Sequence, residues 1–573
     1  MAASAFSEDG REAMRAFLEK RPGVYPPRRS RHCFIHRLSL SWRANMTAQV
    51  AYFCMEFGLS EDFPIYAGGL GILAGDFIKS AHDLALPVIG VGLRWARGYS
   101  RQRIGEDGLP VSEFPTYRAD FLEDTGVRVR VRIATREVEA RVWRTERWGN
   151  APLLLLEPVA TRDAWITQRL YDPTFDCRVA QEILLGVGGV RALRKLGVDI
   201  DTYHFNEGHA AFAGIEIIAE RMAAGETLTE AWAAVRQQIV FTTHTPVAAG
   251  NEVHAVAELR RLGACCELVD WEMRQIGGDP FNMTVAGLRL SRRANAVSQL
   301  HAEVSHAMWR DVEHASEIIS ITNGVHAPTW QDARIRAARE APDELWARHQ
   351  TLKGDLLDAV TARCGVRLDP GVLTIGFARR AASYKRSNLI FHDPERIGRL
   401  LAGRQLQLVF SGKAHPDDEM GRQIIGELVA MAARSPHAVV FVPDYDMALG
   451  RALTRGADVW MNNPIRPLEA CGTSGMKAAM NGVLNCSVLD GWWPEACEHG
   501  VNGWAIGDAT SGVPEQDARD AAALYDVLER EVIPAFTDRA RWLGMMQASI
   551  ATVEERFSSD RMCREYFDRL YAR

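Results

Sequence analysis

The order of elements along the 573 residues predicts an α/β fold of two doubly wound parallel sheets facing a central cleft. Three observations carry this. Short apolar runs alternate with helical stretches through most of the chain. The runs form two series, separated by a polar, Ala/Arg-rich helical stretch from Asp332 to Leu356. Run after run ends on a polar tip, and in doubly wound sheets ligands sit at the carboxyl ends of the strands. The expected organisation is an N-terminal domain over residues 46–326 and a C-terminal domain over 327–573, after an extension over 1–45.

The first series opens at Val50-Ala51-Tyr52-Phe53. The glycine loop Tyr66-Ala67-Gly68-Gly69-Leu70-Gly71 precedes a helical stretch from Gly75 to Leu84, and Pro87 to Gly92 reads as the next strand. Strand, glycine loop, helix and strand make the unit of a parallel sheet. Such a loop suits a phosphate or a sugar, and equally a close helix–strand turn. Between Val127 and Pro158 the alternation Val127-Arg128-Val129-Arg130-Val131-Arg132-Ile133 predicts a β-rich insertion with one wet face. A helix from Val179 to Leu196 stops at Gly197. His204-Phe205-Asn206-Glu207-Gly208-His209 follows; its H-x-x-E-x-H spacing lacks the i, i+4 histidine pair of a helical zinc site, so sugar binding or structure is preferred to metal. His244 stands at the tip of Val240 to Thr243, and Asn323 at the tip of the Ile318 run.

In the second series, Val372 to Phe377 leads into Ala378-Arg379-Arg380-Ala381-Ala382-Ser383-Tyr384-Lys385-Arg386. Gln405 to Phe410 ends at Ser411-Gly412-Lys413, and Ala438 to Val442 ends at Asp444-Tyr445-Asp446. Ala457 to Met461 leads to Glu469-Ala470-Cys471-Gly472-Thr473-Ser474-Gly475-Met476-Lys477, which opens a helix. Two Rossmann-like halves with polar strand tips on both sides describe the GT-B architecture, with the cleft as active site. The last stretch, from about Asp560, reads as helical and has the option of packing back across the first domain.

Composition bounds the function. With 47% hydrophobic and 24% charged residues the chain has material for two cores. A formal net charge of −6 speaks against a general nucleic-acid binder. Ten cysteines with no CxxC pair suggest reduced thiols and a cytoplasmic setting, and no apolar run approaches the ~20 residues of a membrane span. Pro26-Pro27-Arg28-Arg29-Ser30-Arg31 has a twin-arginine flavour without a following apolar region. The pattern tightens only at Met46, so 1–45 is read as a poorly ordered extension with Met46 as the candidate start.

Two constellations carry chemistry. Glycines, hydroxyls and one lysine at the strand-to-helix turn 469–477 read as a phosphate cradle with a covalent handle; a capped helix with a surface lysine would look the same locally. Arg379-Arg380 and Lys385-Arg386 suit an oxyanion such as inorganic phosphate, the guanidinium as a bidentate clamp and the ammonium as a point charge. The competing picture is a solvated basic helix face, which the strand-end position and the acidic chain disfavour.

These motifs, Gly68-Gly69-Leu70-Gly71, Thr243-His244-Thr245, Arg379-Arg380 with Tyr384-Lys385-Arg386, Ser411 to Ala414, Asp444-Tyr445 and Glu469 to Lys477, resemble those of the α-glucan phosphorylases in order, from about Tyr52 to Asn502. The resemblance implies pyridoxal 5′-phosphate (PLP) held covalently on Lys477, its phosphate cradled by Gly472, Thr473, Gly69 and Arg379. It implies substrate phosphate on Arg380 and Lys385. It implies a glucosyl unit among Leu70, His244, Asn323, Glu469 and Tyr384, with His209 nearby. The implied reaction is phosphorolysis of a terminal α-1,4-linked glucose to α-glucose 1-phosphate with retention. PLP is used there for its phosphate, so Glu469 is assigned to sugar hydroxyls and not to nucleophilic attack. The family is often dimeric. Departures are Gly58 where the animal enzymes have tyrosine, Cys471 for serine, and Ser474-Gly475 for Gly-Asn; these touch fine cofactor contacts and chain-length preference. The chain is much shorter than the animal enzymes, so their N-terminal regulation is not expected here. Two other functions share the architecture: a glucan synthase using nucleotide-activated glucose, which has no use for Lys477, and an inactive glucan-binding scaffold.

Overall fold

A computed structural model describes residues 49–247 and 250–572; the extension expected over 1–45 lies outside the described residues. Two mainly parallel sheets dominate. The first has nine strands: β1 (Val50–Phe53), β2 (Val88–Leu93), β5 (Glu123–Ile133), β6 (Arg136–Thr145), β7 (Leu153–Pro158), β8 (Thr202–Asn206), β9 (Ile239–Thr242), β12 (Arg293–Ala296) and β13 (Ile318–Ser320). Hairpin β3 (Arg101–Ile104) with β4 (Pro110–Glu113) and ribbon β10 (Val253–His254) with β11 (Phe281–Asn282) stand apart from it. The order is β13-β12-β9-β8-β1-β2-β7-β6-β5. β1 pairs in parallel with β2 and β8, so the chain reverses its winding there.

The second sheet is wholly parallel, with β14 (Leu373–Ala378), β15 (Leu406–Ser411), β16 (Val439–Val442), β17 (Val459–Asn462), β18 (Leu484–Val488) and β19 (Gly503–Ile506) in the order β16-β15-β14-β17-β18-β19. Its strands are buried almost throughout, as parallel strands covered on both faces must be. The winding reverses between β14 and β17. Loops 379–385 and 463–472 therefore leave adjacent strand ends.

Three sequence expectations change in detail. The β-rich stretch is continuous with the main sheet: β7 runs parallel beside β2, and β5 and β6 extend it antiparallel. The stretch 332–356 is two helices, Ala333–Ala338 and Pro342–Cys364, because Pro342 cannot continue a helix but suits the first turn of the next. The first helix, α1 (Gly69–Asp83), begins on the glycine loop itself. A Cβ on Gly75 would stand 2.1 Å from the Gly58 carbonyl oxygen, and one on Gly71 would stand 2.5 Å from Glu56 Oε2. Those glycines let α1 lie against the segment leaving β1.

Helix α2 (Phe175–Leu196) ends as expected on Gly197, at φ 70°. Near the end of the chain, the helical turn at Ser559–Glu565 meets α1, where Ser80 Oγ and Ser559 Oγ are 2.5 Å apart. Tyr571 hydroxyl lies 2.8 Å from His204 Nδ1, and the Tyr566 ring packs edge-on to His204. No helix among the described residues is long and apolar enough to cross a membrane.

Candidate functional site

A cavity of about 1220 Å³ opens where the strand ends of the two sheets meet. Every site residue singled out from the sequence lines it: Gly69, Leu70, His209, His244, Asn323, Arg379, Arg380, Tyr384, Lys385, Glu469, Gly472, Thr473 and Lys477. They arrive from opposite sides because each follows a strand's carboxyl end or the loop beyond it.

One wall is basic, with Glu469 set among its cations. Glu469 Oε2 lies 2.7 Å from Arg379 Nη2 and 2.8 Å from Lys385 Nζ, and all three are buried. Burial works against the carboxylate, but Arg379 and then Lys385 outweigh it and hold its pKa down to about 2. Glu469 is fixed from behind by Asp490, whose Oδ2 accepts from the Glu469 N–H at 2.9 Å. Lys385 also sits over the Tyr384 ring, 4.8 Å from its centroid. Arg380, exposed on the cavity side, makes no ion pair among the described residues. Lys413 pairs with Asp444 at 3.0 Å on the rim.

The opposite wall carries histidines held neutral. Burial pushes His244 and His209 down to about 3. His244 is fixed at two points: its backbone N–H donates to Glu207 Oε1 at 2.5 Å, and ring Nε2 lies 2.7 Å from Asn206 Oδ1. A carbonyl oxygen only accepts, so Nε2 carries the hydrogen and Nδ1 is left as an acceptor. Asn206 Nδ2 donates in turn to Cys54 Sγ at 3.3 Å. The H-x-x-E-x-H residues do not converge: His204 is buried against Thr242 and Tyr571, while Glu207 serves the loop after β9.

Lys477 is buried, with Nζ 3.8 Å from the centroid of the Trp330 ring. Burial lowers its pKa to about 8, with Asp76 opposing the shift. Asp76 accepts from Trp330 Nε1 through both oxygens at 2.9 Å.

A family model described as carbohydrate phosphorylase matches residues 333–500. Over 91% of its length the chain is 40% identical to maltodextrin phosphorylase of Thermococcus litoralis, 70% of which is covered. It is 39% identical to glycogen phosphorylase of Mycobacterium tuberculosis, again over 91% of this chain and 70% of the relative. It is 36% identical to glycogen phosphorylase of Aquifex aeolicus, over 91% and 86%. The chain belongs to the α-glucan phosphorylase family. Its mixed α/β fold with parallel sheets is of GT-B type.

The residues present fit the family's cofactor. The one lysine of the 469–477 turn is buried in the cavity, and burial brings its pKa down to about 8. Gly472, at φ +84°, adopts a conformation that side chains rarely take, and Arg379 Nη2 lies 3.6 Å from where its Cβ would be. Gly68 and Gly69 face open space. Sequence reasoning missed Trp330 and Asp76 as the surroundings of Lys477, and Asn206 as the partner of His244. A buried aspartate on the apolar helix α1 was the available signal for Asp76; Trp330 lies 147 positions from Lys477 and gave none.

Proposed function

We propose that the protein is a PLP-dependent α-glucan phosphorylase, which releases the terminal α-1,4-linked glucose of glycogen or maltodextrin to inorganic phosphate as α-glucose 1-phosphate with retention. The observation that carries the reading is one cavity holding the buried Lys477 amine, the basic pair Arg380 and Lys385, and the neutral His244. A glucan synthase would have no use for that lysine. The reading takes 46–326 and 327–573 as two Rossmann-like domains around a central cleft, the segment beyond Ser558 returning to the first. A cytoplasmic location and a homodimer complete it.

In this reading Lys477 holds PLP, with Gly472, Thr473, Gly69 and Arg379 around its phosphate. When bound, the cofactor supplies a phosphate that shares a proton with the substrate phosphate. Arg380 clamps the incoming orthophosphate bidentately, and Lys385 adds a charge whose position Glu469 fixes. Orthophosphate then protonates the departing glycosidic oxygen, and its own oxygens face the cation that develops at the sugar carbon. His244 accepts a glucosyl hydroxyl through Nδ1, since Asn206 occupies Nε2. Leu70, Asn323, Tyr384, Glu469 and His209 enclose the rest of the ring.

The test is incubation of purified protein with maltodextrin and phosphate, followed by assay of glucose 1-phosphate and of bound PLP. Product formation that depends on PLP and is lost in Lys477→Ala supports the reading. Activity with a nucleotide sugar and no chromophore would replace it with the synthase.

A further inference from the structure

Beside the cavity, two carboxylates and an imidazole converge from separate stretches of chain. Glu182 lies in the middle of α2 and is fully buried. Glu252 and His254 belong to the segment that runs on from His244 into β10. Arg178 engages one oxygen of each acid: Nη2 and Nε reach Glu252 Oε1 at 2.5 and 2.9 Å, and Nε stands 3.4 Å from Glu182 Oε1. The opposite oxygens, Glu182 Oε2 and Glu252 Oε2, receive no hydrogen bond. Neither do the two ring nitrogens of His254, a side chain only 6% exposed. His254 Nε2 points between the acids, 3.6 Å from Glu182 Oε2 and 3.8 Å from Glu252 Oε2. All three atoms lie within 4.8 Å of one another.

Buried carboxylate oxygens and an imidazole that find no hydrogen-bond partner are costly unless something fills the place between them. A proton on His254 would draw its nitrogen to about 2.7–2.9 Å from a carboxylate oxygen. The two nitrogen–oxygen spacings are wider, and both fall in the range of ligands around a common centre. Bonds of about 2.1 Å to one ion hold their donor atoms roughly 3.0–4.2 Å apart for angles between 90° and 180°.

We propose that Glu182 Oε2, Glu252 Oε2 and His254 Nε2 bind a divalent transition-metal ion, Zn²⁺ or Mn²⁺. Arg178 orients both acids through their other oxygens, and the ring of Phe175, 5.5 Å away and edge-on, fixes the imidazole. Imidazole with carboxylates suits these ions better than Ca²⁺ or Mg²⁺, which favour all-oxygen sets. The ion clips α2 to the segment that begins at His244, and so steadies one rim of the cavity without touching the reacting atoms. The site is independent of the phosphorolysis reading.

The test strips the full-length protein with a chelator and measures metal by mass spectrometry and calorimetry on adding Zn²⁺ or Mn²⁺ alone. Expected are one equivalent bound and a rise in melting temperature. Glu182→Gln and His254→Gln should each weaken binding at least about tenfold and abolish that rise. PLP content should be unchanged in both. His254→Gln, at the less buried edge, serves if Glu182→Gln does not fold. Absence of stoichiometric metal, or variants that bind as tightly as the parent, overturns the proposal; so does a protonated His254 in NMR titration of the metal-treated protein.

Discussion

Replacing Glu469 by glutamine removes the anion that pairs with both Arg379 and Lys385 among the described residues, while keeping its shape. Its pKa is held at about 2 against an ordinary 4.5, a difference worth about 3 kcal/mol in favour of the ionised, paired state. The sign follows from the depression. The contribution is complete above about pH 4.5 and is lost as pH falls towards 2. In Glu469→Gln the two cations remain buried without a partner, so a loss of about 3 kcal/mol is expected in phosphate-free buffer near neutrality. Unfolding entropy of about 2.1 cal/mol/K per residue over 573 residues makes that a drop of roughly 2–3 °C in Tm. Added phosphate should take the carboxylate's place. At about 100 times its Kd it would return about 2.7 kcal/mol, more than in the parent, where Glu469 already occupies the cations. Calorimetry in chloride and in phosphate buffers, on both proteins, reads this directly. Equal Tm values without phosphate, or equal phosphate shifts, would refute the reasoning.

Three further outcomes are expected. Labelling of Lys477 by PLP and borohydride should rise with pH about a midpoint near 8, because the neutral amine is the nucleophile and burial has lowered its pKa; a midpoint near 10.5 would place the amine in water. Asn206→Ala strands His244 Nε2, and kcat/KM for maltodextrin should fall about 10- to 100-fold with the KM for phosphate unmoved; an effect on phosphate KM alone would contradict it. Gly324→Ala would set a Cβ 2.2 Å from the Ser558 carbonyl oxygen and should cost about 2 kcal/mol or more, whereas Gly354→Ala, in open space within a helix, should gain about 0.5–1 kcal/mol. Thermal melts of the two variants decide it.

The sheets were legible because their strands are short, apolar and regularly spaced, and the polar tips gave the side on which the cavity lies. Proline at 342 divided a stretch whose composition alone reads as one helix. The glycines of α1 could be recognised as a special turn, but only the backbone of Gly58 shows that they serve a close contact between the helix and the segment leaving β1. At the site, residues in compact motifs such as 379–385 and 469–477 announced themselves. Partners assembled from distant strands did not: Asn206 with His244, Trp330 with Lys477, and above all Glu182 with His254, 72 positions apart. At His204 the spacing left sugar binding or a structural role open, and the residue is a buried tether for Tyr571.

That tether bears on how the chain matures during translation. Tyr571 leaves the ribosome 367 residues after His204, and Ser559 follows Ser80 by 479. At roughly 5–20 residues per second, the early lobe waits from about 20 seconds to over a minute for the last segment that covers it. Through that interval Phe77 and His204 lack their aromatic lid, making them a natural place for a chaperone to hold the nascent chain.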